Sequence, residues 1–393
     1  MAWEYTPLWT FSDMVESLVD SARGSGLAEE RRLARRVVMD CYREFPQRAD
    51  WSYFNRTGQV RTEASSTAGT LAYDHTGGSS ERLVTLTGDT IDTTTGKYFS
   101  VIIANVHYPV DKVLSTTTFT LTEGQNPGAD VAAGTSYTLY RSFYPVPSDY
   151  RRGQEPVEFD GAGTSPVFVP PADLLNAMQF SNDPQSWFQF YTVRGLGKTP
   201  SEQVFEFAPP PSTALTMKFN YLADPRPIGL IGSATQYSTG TITISGTGVE
   251  GSGTAFTDRM VGSVLRVPPS GVDQIPTGVG GARDGDYPYA EQAVITSVTD
   301  ADTLTIDSAM TGSHSGVKFS IGDPLELDYH CMMEAFRSLC EWRFSVLLKD
   351  DRKVTAEKES QFIRDFRRAR EADNREPSDS GRIPLPRYWE LYE

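Results

Sequence analysis

Four stretches of this chain occur twice, in the same order. Gly69-Thr-Leu-Ala-Tyr73 lines up with Gly240-Thr-Ile-Thr-Ile244, and Gly88-Asp-Thr-Ile91 with Gly253-Thr-Ala-Phe256. Gly96-Lys-Tyr-Phe-Ser-Val101 matches Gly262-Ser-Val-Leu-Arg-Val267, and Lys112–Leu121 matches Ser297–Ile306. Each block alternates apolar and polar residues, the period of a half-buried strand, and the Gly and Asp residues between blocks supply turns. Two copies are too few for a solenoid, whose units need stacked neighbours to bury a core. The repeat therefore predicts two small antiparallel β modules, each a β-barrel or sandwich, over 62–145 and 233–322.

The ends follow a different period. Thr10-Phe11-Ser12-Asp13 offers a helix N-cap with an acid three residues on, followed by Met14, Val15, Leu18 and Val19. After Gly24-Ser25-Gly26 a second helix runs to about Phe45, with Leu33, Val37, Cys41 and Phe45 on one stripe, and Pro46 stops it. At the other end, Asp323-Pro-Leu-Glu326 reads as an N-cap with proline at the first helical position. Met332, Phe336, Cys340, Phe344 and Leu348 then recur every four residues, and a second helix is predicted from Val354 to Arg370. Beyond Asn374 and Pro377, the two prolines of Arg382-Ile-Pro-Leu-Pro-Arg-Tyr-Trp-Glu-Leu-Tyr-Glu393 exclude an early helix there.

The sequence thus predicts an α+β chain. A helical bundle made from the N- and C-terminal helices (1–61 and 323–393, the latter ending in an extended tail) carries a long antiparallel β insertion. The insertion contains the two duplicated modules and, between them, a connecting β-rich segment over 146–232. That segment has a short helix opened by Pro170-Pro171 and strands at Trp187–Val193, Gln203–Phe207 and Leu215–Tyr221. The Gly-rich and then acidic stretch 270–290 reads as a loop inside the second module.

Charge narrows the function classes. The 393 residues hold 36 Lys and Arg against 51 Asp and Glu, a net charge of −15. Gripping nucleic acid requires a cation at each neutralised phosphate, so a tight binder is not expected. The excess acid falls in the β centre, whereas residues 1–61 balance nine basic against nine acidic side chains. No run of about 20 apolar residues is present to span a membrane. The acidic N-terminal stretch does not read as a secretory signal. Cys41, Cys331 and Cys340 have no metal-site spacing and read as free, mostly buried thiols in a reducing compartment.

A search for chemistry yields no catalytic, cofactor-binding or metal-ligating set. His75, His107, His314 and His330 lack a second ligand at metal spacing. His330 and Cys331 adjoin, but neighbours on a helix point about 100° apart, so a satisfied histidine is the better reading. No Gly-x-Ser-x-Gly elbow occurs. Arg194-Gly-Leu-Gly-Lys-Thr199 resembles the end of a phosphate loop, yet Thr192 stands where the first Gly belongs and Pro200 blocks the helix; a hairpin turn fits better. Asp284/Asp286 and Asp300/Asp302 read as turns rather than calcium ligands. Asn55-Arg-Thr57 matches a glycosylation acceptor without a secretory context. The Arg31/Arg32/Arg35/Arg36 and Arg364/Arg367/Arg368/Arg370 clusters are interleaved with acids. They read as inter-subunit pairing faces, with nucleic-acid contact the lesser alternative.

Taken together, the layout resembles the head-to-tail adaptor (connector, or neck) proteins of tailed bacteriophages. The resemblance rests on the two N-terminal helices running into Trp51-Ser-Tyr-Phe54 and on Thr239–Ile244, Gly253–Thr257 and Val261–Val267, which look like a β module of phage structural proteins. It rests also on Phe205-Glu-Phe-Ala-Pro-Pro-Pro211 leading to Lys218–Tyr221, on the returning helices over Asp328–Arg370, and on the C-terminal tail. The doubled β module is larger than the minimal adaptor. The resemblance implies a non-enzymatic virion protein without cofactors. Its copies would form a ring, usually of twelve, between capsid portal and tail, continuing the double-stranded DNA channel after assembly in the host cytoplasm. The partners implied are the portal protein, further copies of the chain, and a downstream tail component (tail tube, nozzle or terminator); no membrane is involved. Carried onto this sequence, Ile383, Leu385, Tyr388, Trp389 and Tyr392 would make the portal contact. The alternative for that tail is folding back on its own core.

A second reading is a tail-tip or adhesin-like protein whose β modules bind host glycans, with Trp187, Tyr287 and Tyr289 as stacking residues. A third, a tail-borne hydrolase, lacks a visible acid, base or nucleophile constellation.

Overall fold

Apolar residues at three- and four-residue spacing form helices at the two ends of the chain, and alternating residues form strands between them. The computed structural model describes residues 8–21, 28–75, 81–159, 165–178, 183–196, 202–228, 236–276, 289–312, 314–327, 332–348 and 351–375. The protein is mixed α+β, with helices at both ends and a large antiparallel β middle. It divides into two compact units: a first made of Met1–Phe54 with Asp224–Glu393, and a second, Asn55–Ala223. The helices are α1 (Phe11–Ser21), α2 (Ala28–Glu44), α3 (Pro171–Met178), α4 (Met332–Leu347) and α5 (Arg352–Arg375).

In the first unit, helices from opposite ends of the sequence share one core. Phe45, just past α2, stacks on Trp51 at 5.3 Å and meets Phe336 of α4 and Phe366 of α5 edge-on at 5.8 and 6.0 Å. Tyr42 of α2 also meets Phe336 edge-on. Aromatic clusters of this kind bury large areas and hold fixed geometry. Near the end of α5, both carboxylate oxygens of the buried Asp373 accept the Ser52 N–H at 3.1 Å.

One predicted helix start is corrected. Asp323-Pro-Leu-Glu326 does not begin α4, which starts at Met332. The Asp323 carbonyl instead accepts the Phe11 N–H, and the Leu325 N–H donates to the Trp9 carbonyl, both at 2.8 Å. Pairing with the N-terminal segment captures the backbone groups a helix would have used.

The second unit opens with β1 (Asn55–Arg61). β2 (Thr70–Asp74), β3 (Leu83–Thr87), β4 (Phe99–Ile103), β5 (Val106–Val113), β6 (Thr118–Leu121), β7 (Val131–Thr135) and β8 (Thr138–Arg141) then form one sheet in the order β7-β2-β3-β6-β5-β4-β8. β9 (Phe143–Pro145), β10 (Tyr150–Phe159), β11 (Val167–Phe168), β12 (Phe190–Gly195), β13 (Gln203–Ala208) and β14 (Thr216–Ala223) complete two smaller sheets, β1-β14-β10 and β11-β12-β13-β9. These two share a core that includes Tyr144, Phe205, Phe207 and Phe219.

The first unit's sheet comprises β15 (Gln236–Tyr237), β16 (Thr241–Ser245), β17 (Gly248–Ser252), β18 (Val264–Val267), β19 (Glu291–Val298), β20 (Thr303–Ile306), β21 (His314–Val317) and β22 (Ser320–Gly322). Its order is β15-β22-β18-β19-β20-β17-β16-β21. Leaving out β15, this is strand for strand the order of the seven-stranded sheet. Backbone hydrogen bonds correspond as well. Leu86 N–H donates to the Thr117 carbonyl at 2.8 Å, as Gly251 N–H does to Asp302 at 2.7 Å. Ile91 N–H reaches Thr116 at 2.8 Å, as Phe256 N–H reaches Ala301 at 2.8 Å. Gly69 and Gly240 occupy the same place before their hairpins, both with positive φ, where a side chain is strained. A Cβ on Gly240 would lie 2.5 Å from the Ser252 carbonyl oxygen, and one on Gly69 would overlap the Thr87 oxygen.

The first unit's sheet is tied to the N-terminal helix by a buried ion pair. In β18 all four residues are buried: Leu265 and Val267 enter the module core, and Val264 and Arg266 alternate with them on the opposite face. Arg266 Nη1 and Nη2 donate to the two carboxylate oxygens of Asp13 at 2.9 and 2.8 Å, and Nη2 also to the Leu8 carbonyl at 2.6 Å. Its Nε donates to Gln292 Oε1 at 3.4 Å, and Tyr289 lies 4.4 Å across the guanidinium. Asp13 is at the same time the capping acid of α1, accepting the Thr10 N–H at 2.9 Å, while its own N–H donates to Thr10 Oγ1 at 3.3 Å.

Two outcomes in urea unfolding follow. Gly240→Ala costs about 3 kcal/mol, from strain plus overlap, whereas Gly246→Ala, also at positive φ but with open space beside it, costs about 1 kcal/mol. Asp13→Leu alone destabilises the first unit by about 3–5 kcal/mol because it leaves Arg266 buried and unpaired; adding Arg266→Met recovers most of that loss.

Candidate functional site

The tail residues Ile383, Leu385, Tyr388, Trp389 and Tyr392 lie outside the described residues, as do His330, Cys331, Tyr287, the Asp284/Asp286 pair and Lys198-Thr199. The arginine clusters are within them. On α2, Arg31 donates to Glu16 of α1 at 3.1 Å, Arg32 to Glu29 at 3.3 Å, and Arg36 lies 3.7 Å from Asp40. The Nε atoms of Arg31 and Arg35 are buried without a hydrogen-bond partner. On α5, Arg368 reaches Glu334 of α4 at 3.5 Å, and Arg364 and Arg367 are exposed. The α2 cluster thus spends part of its charge joining α1 to α2, and exposed pairs of this kind add at most about 1 kcal/mol each.

The hairpin of α4 and α5 also exposes apolar side chains. Val346 and Leu347 at the end of α4 are 50% and 46% exposed, and Val354 and Ile363 of α5 are 40% and 42% exposed. Between α2 and α4, Cys41 and Cys340 are free, buried thiols. Burial, and then the hydrogen bond with Cys41, pushes the Cys340 thiol well above its ordinary range, which keeps it unreactive.

Polar clusters elsewhere show what the histidines do. Ser142 Oγ donates to Ser100 Oγ at 2.7 Å in the second unit, and the Tyr140 hydroxyl lies 2.8 Å from His107 Nδ1. Burial lowers the pKa of His107 and so favours the uncharged ring beside the Tyr140 hydroxyl. Burial also raises Glu206, although Arg194 pairs with it at 2.7 Å. His75 Nδ1 meets the Tyr73 hydroxyl at 3.1 Å, and His314 Nε2 meets Glu291 at 3.3 Å. Asp300 acts as a turn residue: its carboxylate accepts the Asp302 N–H at 2.9 Å, which lowers its pKa. Among the described residues no group of three or more His, Cys, Asp and Glu is placed to hold a metal ion, and no helix is long and apolar enough to cross a membrane.

Sequence reasoning missed Arg266. The available signal was a strand, Val264-Leu-Arg-Val267, apolar on both faces except for one arginine: a strand covered on both sides must supply its cation with a partner. Of the proposed stacking residues, Trp187 is 47% exposed, and Tyr289 packs over Arg266.

Comparison with protein-family models, with curated proteins and with solved structures finds no match to this chain.

The His107 arrangement has a pH signature. Its folded-state pKa lies below the ordinary 6.5, so as pH falls the unfolded chain takes up the proton first. Stability from this site is complete above about 6.5 and drains as pH falls through the folded value. Urea titrations at pH 7.5 and 5.0 should show the second unit losing stability at the lower pH, and His107→Gln should shrink that difference.

Proposed function

We propose that this chain is a structural virion protein, a head-to-tail adaptor of a tailed bacteriophage, without enzymatic activity. The observation that carries this reading is the meeting of the N- and C-terminal helices. Helices separated by almost three hundred residues share the Phe45, Trp51, Phe336 and Phe366 cluster, and the β sheets are inserted between them in sequence. Copies of that helical unit would close side by side into a ring, usually of twelve copies in the adaptors it resembles. Arg31, Arg32, Arg35, Arg36, Arg364, Arg367 and Arg368 would alternate with acids of the neighbouring copy. The exposed apolar side chains at the α4–α5 tip add area that an assembly would cover.

The two sheets of common strand order are, in this reading, duplicated small β-barrel or sandwich modules displayed from the ring toward the downstream tail component. The tail residues Ile383, Leu385, Tyr388, Trp389 and Tyr392 engage the portal, where Trp and Tyr bury large areas with little entropic loss. A net charge of −15 suits a conduit: it repels the duplex, so that DNA passes without being held. The place of action is the virion neck. The exposure of Trp187 favours a second reading, in which a β surface of the second unit binds host glycans.

Native mass spectrometry of the protein with a portal should show a large closed assembly, and only monomer under those conditions would overturn the adaptor reading. Deleting Arg382–Glu393 should leave the fold intact, read from an unchanged circular-dichroism spectrum, while abolishing co-sedimentation with the portal. On a glycan array, binding lost in Trp187→Ala would favour the second reading.

A further inference from the structure

A groove in the first unit lies between the C-terminal half of α2 and the segment 224–228, enclosing about 260 Å³. Met39, Tyr42, Arg43 and Gln47 form one side, with Pro227 and Ile228 on the other. Its lining combines the apolar Met39, Pro227 and Ile228 with the exposed side chains of Arg43 and Asp224.

The described part of α5 ends within reach of this groove. Asp373, two residues before the end of α5, is bound to Ser52 at 3.1 Å. Gln47 is five residues from Ser52 and so at most about 18 Å away along the chain. The sequence continues from 376 to 393, and a segment of that length reaches about 60 Å when extended. Its composition complements the groove. Ile383 and Leu385, each followed by a proline that disfavours helix, match the apolar Met39, Pro227 and Ile228 of the lining. Glu390 and Glu393 complement the exposed Arg43. Tethering makes the encounter intramolecular, at an effective concentration on the order of millimolar, so even modest contact area suffices.

We infer that the groove between α2 and residues 224–228 is a docking site for the chain's own C-terminal tail, residues 382–393. Docking shields Ile383 and Leu385 from solvent in the unassembled protein, and a partner that needs the tail must first compete it out of the groove. The inference stands on the groove and on the reach of the tail, and holds whether or not the partner is a portal.

The test uses the full-length chain carrying a benzoylphenylalanine photo-crosslinker in place of Met39, in an equal mixture of isotope-labelled and unlabelled protein. Irradiation should yield crosslinks to residues 382–393 within single chains. Replacing both Ile383 and Leu385 with Asp should lower the yield at least fivefold. Crosslinks to the tail that join labelled to unlabelled chains would identify a second copy as the occupant and overturn the inference, as would the absence of tail crosslinks. Hydrogen exchange avoids altering the groove. In the otherwise unmodified chain, Ile383→Asp with Leu385→Asp should speed exchange across 39–47 and 226–228, and unchanged rates there would equally overturn it.

Discussion

The buried pair between Asp13 and Arg266 determines how this chain is organised. An arginine inside a protein is tolerable only when its donors are used, and here one carboxylate, a backbone carbonyl, an amide oxygen and an aromatic face use them. The same carboxylate caps α1, so the helix start and the β module are specified by one residue. Around it, Asp323 and Leu325 pair with Phe11 and Trp9, and the Cβ of Thr10 would sit 3.2 Å from any Cβ placed on Gly322. The N-terminal helix, the returning chain and the second module therefore fold into one unit.

At this contact the two sheets of the same strand order differ. In the aligned repeat, Ser100 stands where Arg266 does. Ser100 is served by the short bond from Ser142, whereas Arg266 needs the Asp13 carboxylate from a distant helix. The residues facing each module's core stay aliphatic or aromatic in both, because they answer to the same pattern of alternation.

Much of the fold was legible where the signal is local. The repeated glycines mark backbone that only glycine adopts cheaply, and the alternation Thr-Phe-Thr-Leu against Thr-Leu-Thr-Ile gives β6 and β20 directly. The stripe through Met332, Phe336, Cys340 and Phe344 locates α4. Asp323-Pro-Leu-Glu326 misled because its residue types suit a helix start while a non-local partner took its backbone groups. Arg266 was overlooked for the related reason that its partner lies 253 positions away. The arginines of α2 were legible as a charged face, but Glu16 as the partner of Arg31 depends on how α1 packs, which periodicity does not encode.

Cooperativity between the terminal helices and the second module is the claim from which the rest of the account follows, and native-state hydrogen exchange measures it most directly. If Asp13 and Arg266 weld these elements together, the slowest amides of α1, α4, β18 and β19 open with a single free energy and respond alike to low urea. If the helical amides and the β18–β19 amides instead open with separate free energies and separate urea slopes, the ion pair is not what unites them and the account is wrong.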